Sequence, residues 1–290
     1  PIDKATTIID ADGMAVSPGF IDVHSHADCT VIVDNHLPSL VHQGITTCIA
    51  GNCGESVAPI SRDREKLVKS GFISLLQPLI SWNTYSEYLS KMEQQQSVIN
   101  FGFLVGFEQI RIGFGPAHED REPTAGEIKT MKQALGKCME AGALGLCTGI
   151  VFPPQVYAKT EEIAALAKTV ADYGGIYASH IRDEASNVVD AVEEFIEIIE
   201  KSGCRRGNIS HHKICGTANW GKSKETLKLI ETANQSGLNI TFDVYPYTRG
   251  GSPLSSVLPP WIHEGGTEKM VERLKFKDNH QRIKKDVQNG

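Results

Sequence analysis

Short runs of β-branched and apolar residues alternate along this chain with helix-length amphipathic stretches, the pattern of parallel strands joined by crossover helices. Seven runs predict strands: 19–24, 45–50, 100–105, 143–147, 175–180, 208–211 and 239–244. Between the last four, the 3.6-residue period predicts helices at 160–173, 185–202 and 223–236, several with early Glu or Asp and a closing Gly. A further helical stretch covers 267–288. The predicted fold class is α/β, a (β/α)8-type (TIM) barrel. Histidines and a cysteine fall at the strand ends, and barrel enzymes build their sites on the carboxyl-end loops. An open doubly wound sheet is the other arrangement, but no glycine-rich nucleotide turn stands between a strand and a helix to support it.

A closed barrel needs eight strands, and beyond Val244 only the 267–288 helix follows, so the pattern predicts a barrel truncated after the seventh βα unit. Residues Ile8 to Gly13 read as the tail of a strand and a turn belonging to something upstream. The expected organisation is therefore a remnant in 1–13 and a barrel in 14–290, lacking its eighth strand.

Composition narrows the function. With 290 residues, 40% of them hydrophobic, the chain can bury a large core as one domain. A net charge of -6 and no Lys/Arg run longer than a pair leave no basic face, so nucleic acid is not an expected partner. No apolar stretch approaches the ~20 residues that span a bilayer, which predicts no membrane insertion. Cysteines at 29, 48, 53, 138, 147, 204 and 215 are odd in number and scattered. That suits reduced thiols and a cytoplasmic location.

The chemistry concentrates at strand ends. His24 and His26 close the first run two residues apart, so a strand period would send both imidazoles to one side, as one metal ion requires. His180 ends the fifth run, and His211-His212 ends the sixth. Each alone fits a core histidine, but imidazoles from three strands of one barrel converge on one mouth. Only one of His211 and His212 can face inward; His211 is the choice, because Lys213 then also faces in, where an ammonium meets a substrate anion. His212 inward is the alternative.

Cys53, in Gly51-Asn52-Cys53-Gly54 just past the second run, is placed to ligate a metal or act as a nucleophile. Cys48 and Cys147 read as buried small hydrophobes. Arg182, Asp183 and Glu184 read as the cap of the following helix, with orientation of His180 as the other role. Tyr245 and Arg249 offer a phenol and a guanidinium after the seventh run, and Phe152-Pro153-Pro154 with Tyr157 forms either a pocket wall or a rigid turn.

Pro18-Gly19-Phe20-Ile21-Asp22-Val23-His24-Ser25-His26 resembles the first-strand signature of the amidohydrolase superfamily. Gly44-Ile45-Thr46-Thr47 with Gly51-Asn52-Cys53-Gly54, Gly142-Ala143-Leu144-Gly145-Leu146 with Pro153-Pro154, Ser179-His180-Ile181-Arg182-Asp183-Glu184, Ser210-His211-His212-Lys213 and Asp243-Val244-Tyr245-Pro246-Tyr247 narrow the likeness. In that order they resemble the D-aminoacylase, or N-acyl-D-amino-acid deacylase, family over nearly the whole chain.

The resemblance implies an amidohydrolase-type barrel and a Zn2+ enzyme that hydrolyses the amide of N-acyl-D-amino acids. It implies that Cys53, His180 and His211 hold a tight zinc, with His24 and His26 at an adjoining, weaker subsite. It also implies that Lys213, Tyr245 and Arg249 hold the substrate carboxylate. The family's general-base aspartate, at the end of an eighth strand, is expected beyond residue 290, and its small β-sandwich, assembled from both chain ends, is expected here only as the 1–13 remnant, so this segment alone is expected to be weak or inactive. A cyclic amidase of the hydantoinase or dihydropyrimidinase kind is a rival, but such relatives usually carry a bridging lysine on the fourth strand, absent here. A catalytically dead barrel serving as a binding protein is the non-enzyme rival. The five retained candidate ligands speak against it.

Overall fold

The computed structural model describes residues 6–60 and 72–289. Among them, parallel strands β1 (Phe20–Ser25), β2 (Ile45–Ala50) and β3 (Asn100–Phe103) form one sheet in the order β1-β2-β3. A second sheet runs β4-β5-β6-β7-β8 from Val105–Gly106, Gly145–Gly149, Ile176–His180, Arg206–Ile209 and Asn239–Phe242. The predicted run 100–105 supplies both β3 and β4. It breaks at Leu104, whose N–H reaches Ala50 O at 2.8 Å while Phe103 O accepts from Leu144 N at 2.9 Å. The chain there steps from pairing with β2 to pairing with β5.

Period-two alternation sorts the strand side chains. On β5 and β6, Leu146 and Tyr177 face outward into the main core, where Tyr177 stacks on Phe195 at 5.3 Å between ring centroids. Inward-facing Cys147 and Ala178 meet Leu104, with Ile49 and Ile176 against them, as a small layer inside the wall. Cys48 and Cys147 are fully buried, as expected, and all seven cysteines are free.

The outer layer follows from the helical periods. The expected helices form as α1 (Thr160–Asp172), α2 (Val188–Ser202) and α3 (Ser223–Gln235), packed in sequence against one another. Gly203 closes α2 in the left-handed region at φ 71, its N–H returning to Ile199 O at 3.1 Å. The expected 267–288 helix is two helices, Thr267–Arg273 and Lys277–Asn289. Two more, Tyr85–Gln95 and Ala125–Glu140, each begin with a capping box, Thr84 with Glu87 and Thr124 with Glu127. In the outer layer, Arg111 is fully buried and donates from one nitrogen to both oxygens of Glu162 near the start of α1, so the pair pins neighbouring segments without leaving a bare charge.

β1 and β8 stand at opposite ends of the strand order, yet His24 Nδ1 lies 3.3 Å from Asp243 Oδ1, so the wall curls until its ends approach. Residues 6–13 hold a turn, Met14 N–H to Ala11 O at 2.8 Å, and no strand, and Ile8 and Ile9 are exposed. Residues 1–5 lie outside the described residues.

Candidate metal centre

Cys53 sits in a turn just past β2 with φ 54, a left-handed conformation that costs a side-chain-bearing residue free energy, between Gly51 at φ 84 and Gly54 at φ 77. The turn is held by what surrounds it. Asn52, buried, donates to Ile49 O at 3.0 Å, and Gln155 donates to Cys53 O at 3.3 Å while accepting from Gly149 N at 2.6 Å. A Cβ on Gly149 would lie 2.1 Å from Cys53 O, so only glycine lets the turn rest on β5.

Held this way, Cys53 Sγ lies 3.4 Å from both His24 Nε2 and His211 Nε2. A tetrahedral zinc with Zn–S of about 2.3 Å and Zn–N of about 2.0–2.1 Å requires an S···N edge of roughly 3.5 Å. The three residues therefore stand as ligands of one ion would, and their ligand atoms all fall within 4.8 Å of one another. The donor set, one thiol and imidazoles, suits zinc.

Each of these imidazoles has a carboxylate on its other nitrogen. His24 Nδ1 is 3.3 Å from Asp243 Oδ1, and His211 Nδ1 is 2.9 Å from Glu184 Oε1. Asp243 also accepts from the His211 backbone N–H at 2.7 Å and from Asn208 Nδ2 at 2.6 Å. Glu184 joins a second group with His180 and His211, His180 Nε2 lying 3.6 Å away. Sequence reasoning gave Glu184 to a helix cap, and the structure corrects this. The helix α2 has Asn187 at its N-cap and no side-chain cap; Asp183 accepts from Ala185 N at 2.6 Å and Asn187 Nδ2 at 3.2 Å in the turn before it, while Arg182 pairs with Glu194 of α2, leaving Glu184 to enter the site. Asp243 had no assigned role, although its place one residue past β8 with inward alternation was a readable signal.

The choice between the paired histidines is resolved by the backbone. β7 ends at Ile209, and His211 has φ 36, which turns its ring into the cluster. His212 leaves on the other side, its Nε2 3.0 Å from Thr226 Oγ1 of α3 and its ring against Phe242. His180 faces inward from β6, its ring 4.3 Å from that of His211, with Phe152 edge-on at 4.8 Å as an apolar wall. His26 is off the strand, at the start of a short helix, with its ring 6.0 Å from that of His24. The contacts thus pair His24 with His211 at the sulfur, whereas the resemblance groups His180, and not His24, with Cys53 and His211; His180 Nε2 lies 3.6 Å from the Glu184 carboxylate.

Of the expected carboxylate binders, Lys213 Nζ is 2.5 Å from Glu184 Oε1, 2.8 Å from His211 Nδ1, and 5.5 Å from the Tyr245 ring centroid. Tyr245 lies 6.2 Å from His211, ring to ring, at the mouth. Arg249 is exposed on the loop beyond it, with no hydrogen bond or ion pair among the described residues.

Burial sets the charges. It lowers His180 to about 3, the nearby His211, Lys213 and His24 adding to it and Glu184 opposing, and lowers His26 to about 4 with help from His24 and His211. Both imidazoles are therefore neutral, the state a metal needs. Burial would raise Glu184, but the bond from His211 and the neighbouring His180 ring and Lys213 ammonium hold it down to about 2. The Cys53 thiol is pushed well up by burial and by the thiol and carboxylates around it, so a thiolate there requires a cation beside it. His180 Nδ1 is buried without a hydrogen-bond partner, a cost that ligation at that nitrogen would offset, and His24 Nδ1, although 3.3 Å from Asp243 Oδ1, is also without a well-aligned partner.

Parallel strands thus deliver imidazoles and a thiol to one mouth, as a candidate metal site on an α/β wall. The model of the amidohydrolase family matches residues 7–225, and this chain belongs to that family. It is 35% identical over 252 residues to the D-aminoacylase of Alcaligenes xylosoxydans xylosoxydans, covering 86% of this chain and 51% of the relative. The crystal structure of N-acyl-D-glutamate deacylase from Bordetella bronchiseptica, complexed with zinc and a phosphonate mimic of the tetrahedral intermediate, superposes with a TM-score of 0.71 at 35% identity. That match covers 79% of this chain and 48% of the other. A D-aminoacylase structure described by its binuclear metal centre, with one-metal activation and second-metal attenuation, matches at 0.70 and 34% identity over 79% and 48% of the two chains. The chain spans about half the length of these relatives. No described helix is long and apolar enough to cross a membrane.

Proposed function

We propose that this chain is the metal-bearing part of a zinc-dependent deacylase that hydrolyses N-acyl-D-amino acids to a carboxylate and a free D-amino acid. The observation that carries this is the placement of Cys53 Sγ at 3.4 Å from two imidazoles whose far nitrogens meet carboxylates. Support comes from relatives of that activity at about a third identity.

His24, His26, Cys53, His180 and His211 are the proposed ligands, for one tight zinc and a second, weaker site. Zinc held there would supply Lewis-acid polarisation of the amide carbonyl and acidification of water. The residues do the rest. Phe152 walls the His180 side of the site with an apolar ring, and Lys213, Tyr245 and Arg249 hold the substrate carboxylate, which fixes the hand of the Cα that fits. Lys213 enters already paired with Glu184, so it orients the carboxylate at short range while the exposed Arg249 supplies the unpaired charge.

In this reading residues 1–13 belong to a β-sandwich segment and 14–290 to the barrel. The seven free cysteines suit a reducing cytoplasm, and the net charge of -6 suits a small-molecule substrate rather than nucleic acid.

The test has two parts. Elemental analysis after dialysis should find near one zinc per chain, and almost none in Cys53→Ala. The full-length protein, zinc-loaded, should release free amino acid from N-acetyl-D-amino acids and far less from the L-enantiomers. Loaded protein that hydrolyses neither, across apolar, acidic and basic side chains, rules the activity out.

A further inference from the structure

Cys53 stands on the chain that leaves β2, in the first sheet, whereas His180 ends β6 and His211 follows β7, in the second. No described strand pairing joins the two sheets, so contacts outside the ladders set how deep the sulfur sits among the imidazoles. At Cys53 that contact is a side chain from a turn. Gln155, fully buried, opens the single 3-10 turn Gln155–Tyr157 past β5; its Oε1 accepts from Gly149 N at 2.6 Å and its Nε2 donates to Cys53 O at 3.3 Å. One of these backbone groups can only donate and the other can only accept, so the carboxamide fits in one orientation. A side chain of that length lacking either the acceptor or the donor would leave a buried backbone group unpaired. A Cβ on Gly54 would strike the same carboxamide, so the Cys53 loop rests directly on it.

The turn is itself tied to the imidazole side of the site. Arg182, two residues past His180, donates to Val156 O at 3.2 Å and to Ala158 O at 3.0 Å. Gly149 lies opposite His180 in the β5-β6 register, and the next N–H, of Ile150, reaches His180 O at 3.1 Å. Bonded groups therefore run from the His180 segment through Arg182 and Gly149 to Gln155, and on to the carbonyl of Cys53. Asn52, also buried, ties the loop the other way, donating to Ser25 O at 3.3 Å between His24 and His26. Carboxamides are mostly exposed side chains, and burying two of them at one loop serves the backbone they bind rather than the apolar core.

We propose that Gln155 is a positioning residue of the metal centre: its carboxamide, carried on a turn that Arg182 fixes to the His180 segment, sets the place at which the Cys53 sulfur meets the imidazoles. The proposal rests on the zinc reading above. Gln155 ligates nothing and acts through the Cys53 main chain.

The experiment measures, on the full-length protein, zinc affinity by competition with a chromophoric chelator, the visible spectrum of the cobalt(II) form, and melting without metal. Wild type, Gln155→Met and Phe195→Ala are compared. Gln155→Met keeps the side-chain length and removes both polar contacts, whereas Phe195→Ala disturbs only the outward packing on Tyr177. Gln155→Met should bind zinc about 10–100-fold more weakly, as loss of a residue that orients a ligand does, with its thiolate-to-cobalt band shifted. Phe195→Ala should melt lower with affinity and band unchanged in the folded fraction, which separates loss of position from loss of stability. Gln155→Asn, one methylene too short to span both groups, should also be weakened, and it takes the place of Gln155→Met if that variant does not fold.

Affinity within threefold of wild type and an unchanged thiolate-to-cobalt band in a folded Gln155 variant overturn the proposal and leave the zinc reading standing. Wild type that binds no zinc removes both. Wild type that binds zinc tightly while hydrolysing no N-acyl-D-amino acid sinks the proposed activity alone, because these readouts need no substrate.

Discussion

The middle of the wall and its two ends are built from the same kinds of residue and treated in opposite ways. Leu146 on β5, Tyr177 on β6 and Ile209 on β7 are fully buried, whereas Phe20 and Ile21 on β1 are 58% and 62% exposed and Phe242 on β8 is 42% exposed. Strand propensity and alternation do not differ between these sets; what differs is whether a helix or another strand covers them. The packing that resists unfolding is therefore concentrated at β5 to β7 and α1 to α3. The chemistry lies elsewhere, since His24 and Asp243 come from the two ends. On this reading stability and the proposed metal site draw on different parts of the wall, and a bound ion would tie its two ends.

That contrast is sharpest in the core. Phe195→Ala, removing a ring stacked on Tyr177, should cost about 3–5 kcal/mol in urea-denaturation midpoints, with zinc stoichiometry unchanged in the folded fraction. A cost below ~1 kcal/mol would show that the middle is not the stable unit. Stripping zinc should come next. At free zinc 100-fold above Kd, the ion stabilises the fold by about 2.7 kcal/mol. Its removal should raise amide hydrogen exchange in β1 and around Asp243 while β5 and β6 stay protected. Uniform loss of protection would break the comparison, because the ion would then be holding the whole wall. Phe20→Ala, at an edge, should move stability by no more than ~0.5 kcal/mol.

The smallest effect concerns the Ala125–Glu140 helix, where Arg121 holds Glu127 down to about 2 from 4.5. A depressed carboxylate stabilises above its unfolded value and loses that contribution as pH falls, so the window runs from 4.5 down to about 2. Glu127→Gln should be slightly less stable than wild type at pH 7, the gap closing across that window. The ion pair is solvated and screened, so the gap will be near the limit of measurement. A gap that stays constant with pH would assign the effect to the capping box alone.

Much of this architecture was legible from periodicity. The runs at 45–50, 175–180 and 239–244 and the helices at 160–173 and 223–236 lie within a residue or two of where they form, because a two-residue or 3.6-residue period is a local property. The step at Leu104 was not legible, since it depends on which neighbour each side of the chain pairs with. At the site, residue types at strand ends pointed to five ligands, but a strand period cannot orient a side chain that has left the strand. His211 at φ 36 and His26 at the start of a helix lie past that limit, and Glu184 was assigned by its place before α2 rather than by the imidazole four residues back.

Gly149 carries a lesson for anyone who would reshape this protein. An added methyl at that position would strike the carbonyl of Cys53, so the turn would have to lift by roughly an ångström. Because a metal tolerates little error in its donors, such a variant would lose function through a position that never touches substrate or ion. Gly54, whose added carbon would meet Gln155, is bound by the same restriction. Mutational libraries aimed at new substrates should leave both untouched, spare Arg249, and spend their diversity on the exposed residues 250–254, where a changed side chain meets solvent.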